Sequence, residues 1–197
     1  MASPAPHDMS NGWEAVASEL IALREHSSTG VEVIQTWAQN LSNGAEVLDL
    51  GCGAGVPVST ALVEAGHKVY GVDASPTLAA EFKRRFPQMS VVCESVETSS
   101  FFDRCFDGVV AIGLVFLLSA AAQRQLILKV TSTLKSGGHF LFTSPYQICR
   151  WEDNWTRLES LSLGKDAYLE LFSEAGLILV KNYTDEGENY YFHAKKP

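Results

Sequence analysis

Three glycines alternate in Val47-Leu-Asp-Leu-Gly-Cys-Gly-Ala-Gly55, where a short apolar run ends and a helical pattern begins. Bare backbone at such a junction lets a ligand approach main-chain N–H groups at a helix N-terminus. A side chain at Gly51 or Gly53 would fill the space such a ligand takes. The next apolar run, Val69-Tyr-Gly-Val72, ends in Asp73. That acid follows the loop by about 20 residues, the spacing at which a carboxylate accepts hydrogen bonds from ribose hydroxyls. A ligand-free tight turn also uses glycines, but here strand, loop, helix, second strand and terminal acid coincide. The dinucleotide pattern G-x-G-x-x-G is not met, because Val56 stands where its third glycine belongs. Asp49, two residues before Gly51, fits poorly beside a pyrophosphate and well beside an ammonium or sulfonium.

The surrounding pattern must place these groups on a sheet edge. Apolar residues at helical spacing begin at Trp13 and recur to Leu23, and a second face covers Val31 to Leu41. From Glu46 onward, strands at 46–50, 68–72, 90–93, 107–112 and 139–143 alternate with helices at 56–65, 76–86 and 120–134. Such alternation means βαβ units, and near-continuous apolar strands mean a mostly parallel sheet covered on both faces. Gly137-Gly138 reads as a turn, and residues 144–163 as irregular. A helix at 165–175 precedes strands at 177–183 and 190–195, an antiparallel hairpin on the sheet edge.

The 197 residues, 46% hydrophobic and 19% charged, suit one domain over 13–197, with residues 1–12 as a disordered tail. A net charge of −8 repels phosphate backbones and argues against nucleic acid or an anionic membrane as main partner. The start has no apolar segment of secretory type. Cys52, Cys93, Cys105 and Cys149 show no metal-binding spacing, so no metal is expected and a reducing cytoplasm fits the four thiols.

Taken in order, Val47 to Gly55, Val69-Tyr-Gly-Val-Asp-Ala-Ser75, Phe106-Asp-Gly-Val-Val-Ala-Ile112 and Leu134-Lys-Ser-Gly-Gly-His-Phe140 resemble class I S-adenosylmethionine-dependent methyltransferases. The small-molecule methyltransferase 11/25-like group is the nearest in kind, and the resemblance spans about residues 30–195. It implies a Rossmann-like α/β fold with a seven-stranded, mostly parallel sheet and S-adenosylmethionine as cofactor. It further implies that Gly51, Cys52, Gly53 and Gly55 lie along the methionine moiety, with Asp49 near its amino group. Asp73 then takes both ribose hydroxyls, and Ala74 lies against the adenine. Glu94 stands where such enzymes usually carry the Asp that meets the adenine amino group, while Ser95 and Val96 offer backbone groups. Ile112 and Gly113 pass under the sulfonium. Arg24 pairs with the cofactor carboxylate, and the turn ending at Gly30 closes over it.

The acceptor is expected among Phe116, Tyr146, Trp151 and Trp155, on segments that reach the carboxyl edge of the sheet. Trp151 and Trp155 also fit the packed face of a short helix. The acids and amides of 185–189 read as a solvated turn; the other reading brings Asn189, Tyr190 or His193 to the acceptor. No catalytic base stands out, which suits a transfer from an already activated sulfonium. The Asn/Asp-Pro-Pro-Tyr/Phe clamp of amino-methylating DNA enzymes is absent after the fourth strand. Methyl transfer to a small molecule is the expected function; the rivals are a cofactor-binding protein without transfer, a nicotinamide-dependent reductase and an arsenite methyltransferase.

Overall fold

The computed structural model describes residues 8–197. Its central sheet has the strand order β3-β2-β1-β4-β5-β9-β8. The strands are β1 (Glu46–Leu50), β2 (Lys68–Asp73), β3 (Ser90–Cys93), β4 (Phe106–Ala111), β5 (Leu134–Thr143), β8 (Ile178–Thr184) and β9 (Tyr190–Lys195). β1 to β5 run parallel, and β9 is antiparallel to both β5 and β8. The α/β sheet with its C-terminal hairpin is the one expected from the alternation of elements.

Helices cover both faces. α2 (Val31–Ala38), α3 (Val58–Glu64) and α4 (Pro76–Arg85) pack through Ile34, Trp37, Leu62 and Phe82 onto Val47, Val69, Val110 and Leu141. α5 (Ala120–Thr133) and α6 (Lys165–Ala175) pack through Ile127, Val130, Tyr168 and Phe172 onto Leu48, Val109, Phe140 and Phe142. Because adjacent strand residues face opposite sides, Val47 and Leu48 serve different cores. Each such fully buried side chain contributes about 1.5–3 kcal/mol. Gly108 lies beneath the Trp37 indole, which a Cβ there would approach to 2.7 Å. The glycine gives this large ring its place against β4.

Four expectations change: Gly137-Gly138, expected as a turn, lies within β5, and the other three concern the N-terminal segment, residues 144–163 and the tail. The first helical pattern divides into a 3-10 turn, Trp13–Val16, and α1, Ala17–Arg24. The stretch 144–163 is not irregular: β6 (Ile148–Glu152) and β7 (Glu159–Leu163) form a separate antiparallel hairpin. The tail expected over 1–12 does not extend as far as Gly12. Residues 1–7 lie outside the described residues, but Asp8 Oδ1 and Oδ2 accept from the Ser10 and Gly12 N–H groups, both at 2.9 Å. Asn11 Nδ2 donates to the Leu117 carbonyl at 3.1 Å, so a local carboxylate turn and one long-range bond order this segment.

A buried imidazole pair joins β5 to β9. His139 Nδ1 lies 2.8 Å from His193 Nε2, and the Tyr183 hydroxyl lies 3.3 Å from His193 Nδ1. Burial, then His139 and the positive Lys181, push His193 down to about 4; burial and Lys195 lower His139. Unfolded imidazoles bind protons below about pH 6.5, while the folded pair stays neutral. The pair's contribution is therefore present above pH 6.5 and lost as pH falls toward about 4. We expect the thermal midpoint of the wild type to fall over this window more steeply than that of His193→Gln. Equal slopes would refute this account.

Candidate functional site

The carboxyl ends of β1 and β2 meet at the glycine loop. Gly51 and Cys52 both donate their N–H groups to the Val72 carbonyl, at 2.8 and 3.2 Å. Asp73 joins the two loops that follow: its Oδ2 accepts from Gly53 N–H at 2.7 Å and its Oδ1 from Ser75 N–H at 2.9 Å. Each oxygen keeps a lone-pair site for a further donor. Burial raises the Asp73 carboxyl above its ordinary range, against the pull of these backbone bonds.

Asp49 lies deeper, 2% exposed, and accepts from the Ser59 hydroxyl at 2.6 Å. Burial pushes it up to about 7, with Asp73 adding to the rise and Ser59 opposing it. A cation brought beside Asp49 favours its ionised form. Burial, with Asp49 and Asp73, raises the Cys52 thiol, so this cysteine is a packed group rather than a nucleophile.

These residues open onto a cavity of about 690 Å³. Given the strand order, it runs along the carboxyl edge from the β2–β3 side toward the β5–β9 side, across the point between β1 and β4 where the chain reverses direction of winding. Asp73, Ala74, Ser95 and Val96 line the first part; Asp49, Gly51, Cys52, Gly53, Ile112 and Gly113 line the middle; Phe116 and Arg24 border it further on. An added Cβ at Gly53 or Gly113 would meet no protein atom within 4 Å. Thr143 Oγ1 accepts from Gly113 N–H at 2.7 Å and fixes that loop. Asp8, Asp49, Asp73, Glu97 and Asp185 are the acids of the lining, and among the described residues Arg24 is its one cation. The resulting negative potential suits a cationic or neutral ligand.

Six expected site residues do not line the cavity. Gly55 packs against the aromatic rings of α4: a Cβ there would overlap Phe86 and stand 3.1 Å from Phe82. Gly30 packs against the C-terminal hairpin, where a Cβ would overlap the Tyr191 hydroxyl; its neighbour Thr29 takes the lining position. Glu94 continues the β2–β3 ladder through its N–H to the Asp73 carbonyl at 2.9 Å, so the chain enters the cavity only at Ser95. Tyr146 is 44% exposed and packs edge-on against Tyr190. Trp151 lies on β6, and its ring sits 5.4 Å from that of Phe116, outside the lining. Trp155 is in the tight β6–β7 turn, where Asp153 Oδ1 accepts its N–H at 2.9 Å. The helix-face reading of the two tryptophans fails with it, because a strand and a turn carry them.

The opposite omission concerns both termini. Ser10, Asn11, Trp13 and Ile21 roof the cavity, although the first two fall in the expected tail and helical periodicity says of the other two only that their segment has an apolar side. Asp185 and Asn189 also line it. Asp185 is 9% exposed and accepts from Gly187 N–H, Asn189 N–H and the Tyr191 hydroxyl, at 2.9, 2.9 and 2.7 Å. Burial opposes its charge, yet the bonds from Tyr191 and Asn189 prevail and hold it below the usual carboxylate range. It is a turn acid, as expected, but not a solvated one. Tyr190 packs on Phe192 and His193 lies in the imidazole pair; of the three alternatives only Asn189 reaches the cavity.

Comparison with known proteins agrees with this architecture. Residues 47–138 match the family described as methyltransferase domain. An uncharacterized methyltransferase of Synechocystis sp. is 32% identical over 111 residues, 56% of this chain and 52% of that protein. A demethylmenaquinone methyltransferase of Beutenbergia cavernae is 30% identical over 150 residues, 71% of this chain and 60% of that protein. The chain thus spans about two-fifths to three-fifths of the length of the curated relatives it matches. Among solved structures, the Burkholderia thailandensis 1,6-didemethyltoxoflavin-N1-methyltransferase superposes with a TM-score of 0.72 at 18% identity, covering 100% of this chain and 93% of that one. That structure holds 1,6-didemethyltoxoflavin and S-adenosylhomocysteine. Glycine loop, acidic strand end and sheet order together give this chain the fold of the methyltransferases it superposes on, and its residues 47–138 match the family described as methyltransferase domain.

Proposed function

We propose that this chain, with residues 13–197 acting as one domain, transfers a methyl group from S-adenosylmethionine to a small-molecule acceptor. The observation that carries this reading is Asp73, which bridges Gly53 and Ser75 at the rim of an acid-lined cavity and keeps lone pairs for a ribose diol. The residues suit the cofactor: two cavity glycines with open space where a Cβ would stand, and a buried acid, Asp49, beneath them. When bound, S-adenosylmethionine supplies an electrophilic methyl on a sulfonium.

The chain's own residues then bind and orient. Asp73 holds the ribose, Ala74, Ser95 and Val96 border the adenine, and Arg24 meets the cofactor carboxylate. Phe116, Trp13 and Ile21 exclude water and position the acceptor for in-line attack. Among the described residues, no histidine or lysine lines the cavity. That favours an acceptor whose lone pair is available near neutral pH over one that needs a strong base. The acidic lining and the charge of −8 disfavour nucleic acid, and four free cysteines suit a reducing compartment such as the cytoplasm.

Calorimetric titration with S-adenosylhomocysteine, with NADH as parallel control, tests the cofactor; labelled methyl transfer to a small-molecule panel tests the reaction. We expect micromolar binding of S-adenosylhomocysteine and none of NADH. NADH binding alone would favour a reductase. S-adenosylhomocysteine binding without transfer to any acceptor would favour a binding protein.

A further inference from the structure

Glu14 lines no part of the cavity, yet it connects two elements that do. Its Oε2 accepts from the Ser75 hydroxyl and from Thr77 N–H at 3.1 Å, and its Oε1 accepts from the Thr77 hydroxyl at 2.7 Å. These bonds, from Ser75 first and then Thr77, hold the Glu14 carboxyl below its ordinary range. The Ser75 hydroxyl gives its one proton to Glu14 and so faces Leu78 N–H, at 3.2 Å, as an acceptor. Ser75 is the N-cap of α4, and its own N–H holds Asp73 Oδ1. A carboxylate from more than sixty residues away therefore completes the N-terminal cap of α4 and fixes the residue that orients Asp73.

The same carboxylate anchors the roof. The 3-10 turn that carries Glu14 also carries Trp13, and Asn11 precedes it. Glu14 fastens this segment on the Asp73 side, while the Asn11 bond to Leu117 fastens it on the other. Gly12 rests against Thr156 and Leu158 of the β6–β7 turn.

We propose that Glu14 is a positioning residue for the nucleoside end of the cavity, acting through Ser75 on Asp73 and through Trp13 on the roof. This rests on the reading of Asp73 as the ribose-binding acid. With the clamp lost, Asp73 and the roof hold a bound nucleoside less firmly, so the loss falls on dissociation more than on association.

The test is dissociation and association of S-adenosylhomocysteine by stopped-flow fluorescence. Glu14→Ala is expected to speed dissociation about tenfold or more, the scale of one lost charged hydrogen bond, with association changed by less than about threefold. Glu14→Gln keeps an amide oxygen for Ser75 and Thr77 N–H, and the Thr77 hydroxyl turns to accept from the amide, so it stays within about threefold of wild type. Thr77→Val gives an intermediate effect, and the Glu14→Ala/Thr77→Val pair is no worse than Glu14→Ala alone. 5′-Methylthioadenosine, which keeps the ribose and lacks the amino-acid tail, shows the same ratio. Unchanged dissociation in folded Glu14→Ala, or independent effects in the double variant, overturns the proposal. Should Glu14→Ala not fold, wild-type dissociation in Thr77→Val overturns it equally. If wild-type protein binds no S-adenosylhomocysteine, the cofactor reading fails instead. The clamp is then read without ligand by hydrogen exchange over residues 9–24: faster in Glu14→Ala and not in Glu14→Gln supports it, and equal exchange in all three overturns it.

Discussion

Replacing Asp73 with alanine is expected to weaken S-adenosylhomocysteine binding at least tenfold while leaving the fold in place. A hydrogen bond to a charged group contributes about 1.5–3 kcal/mol, and a tenfold loss corresponds to about 1.4 kcal/mol. On the proposed reading two ribose hydroxyls lose their acceptor in this variant, and the Gly53 and Ser75 N–H groups lose theirs as well. The site is thus damaged both directly and through the two loops that Asp73 ties together. Asp73→Asn keeps one acceptor oxygen and should fall between wild type and alanine. Because burial raises the Asp73 carboxyl, acid removes its charge sooner than that of an ordinary aspartate. Wild-type affinity should therefore decline as pH is lowered, and Asp73→Asn should lack that part of the decline. Calorimetry checks the affinity and far-ultraviolet circular dichroism the fold; unchanged affinity in Asp73→Ala would refute the nucleoside site.

The second large effect separates two glycines that look equivalent in the loop. Gly55→Ala should destabilise the protein by about 2–5 kcal/mol. The left-handed backbone at φ 83° contributes about 1–2 kcal/mol of this, and forcing a methyl into the Phe86 ring contributes about 1–3 kcal/mol. For a chain of this size that lowers the thermal midpoint on the order of 10 °C. Gly53→Ala should bear only the backbone cost, since no protein atom lies within 4 Å of its added Cβ. Its Cβ stands instead beside the cavity, so its main loss should be S-adenosylhomocysteine affinity. Thermal unfolding and calorimetry on both variants decide the matter. An affinity loss in Gly55→Ala without a stability loss would return Gly55 to the ligand.

The glycine loop and its acid were legible because they are local. Asp49, Gly51, Gly53 and Asp73 sit at strand ends whose register follows from adjacent βαβ units, and all four reach the cavity. Gly55 packs on α4 instead of lining the cavity, and alternation along a loop does not say which glycine faces a ligand and which faces a helix. Glu94 stays outside the lining for a similar reason: one more ladder bond moves the entry to the cavity one residue along. The tryptophans at 151 and 155 have helical spacing, yet cross-strand pairing with β7 carries the first and a turn carries the second.

The fold class and the glycine-loop end of the cavity were both readable along the chain. Both depend on short-range facts: hydrophobic period, glycine at positive φ, and an acid at the end of a strand. How the cavity is closed depends on packing between distant segments. Its roof is brought over by Glu14 meeting the start of α4, and its far wall by Asp185 and Asn189 arriving from the C-terminal hairpin. These partners are distant along the chain. A carboxylate that caps a remote helix has the same local pattern as one that faces water, and only packing tells them apart.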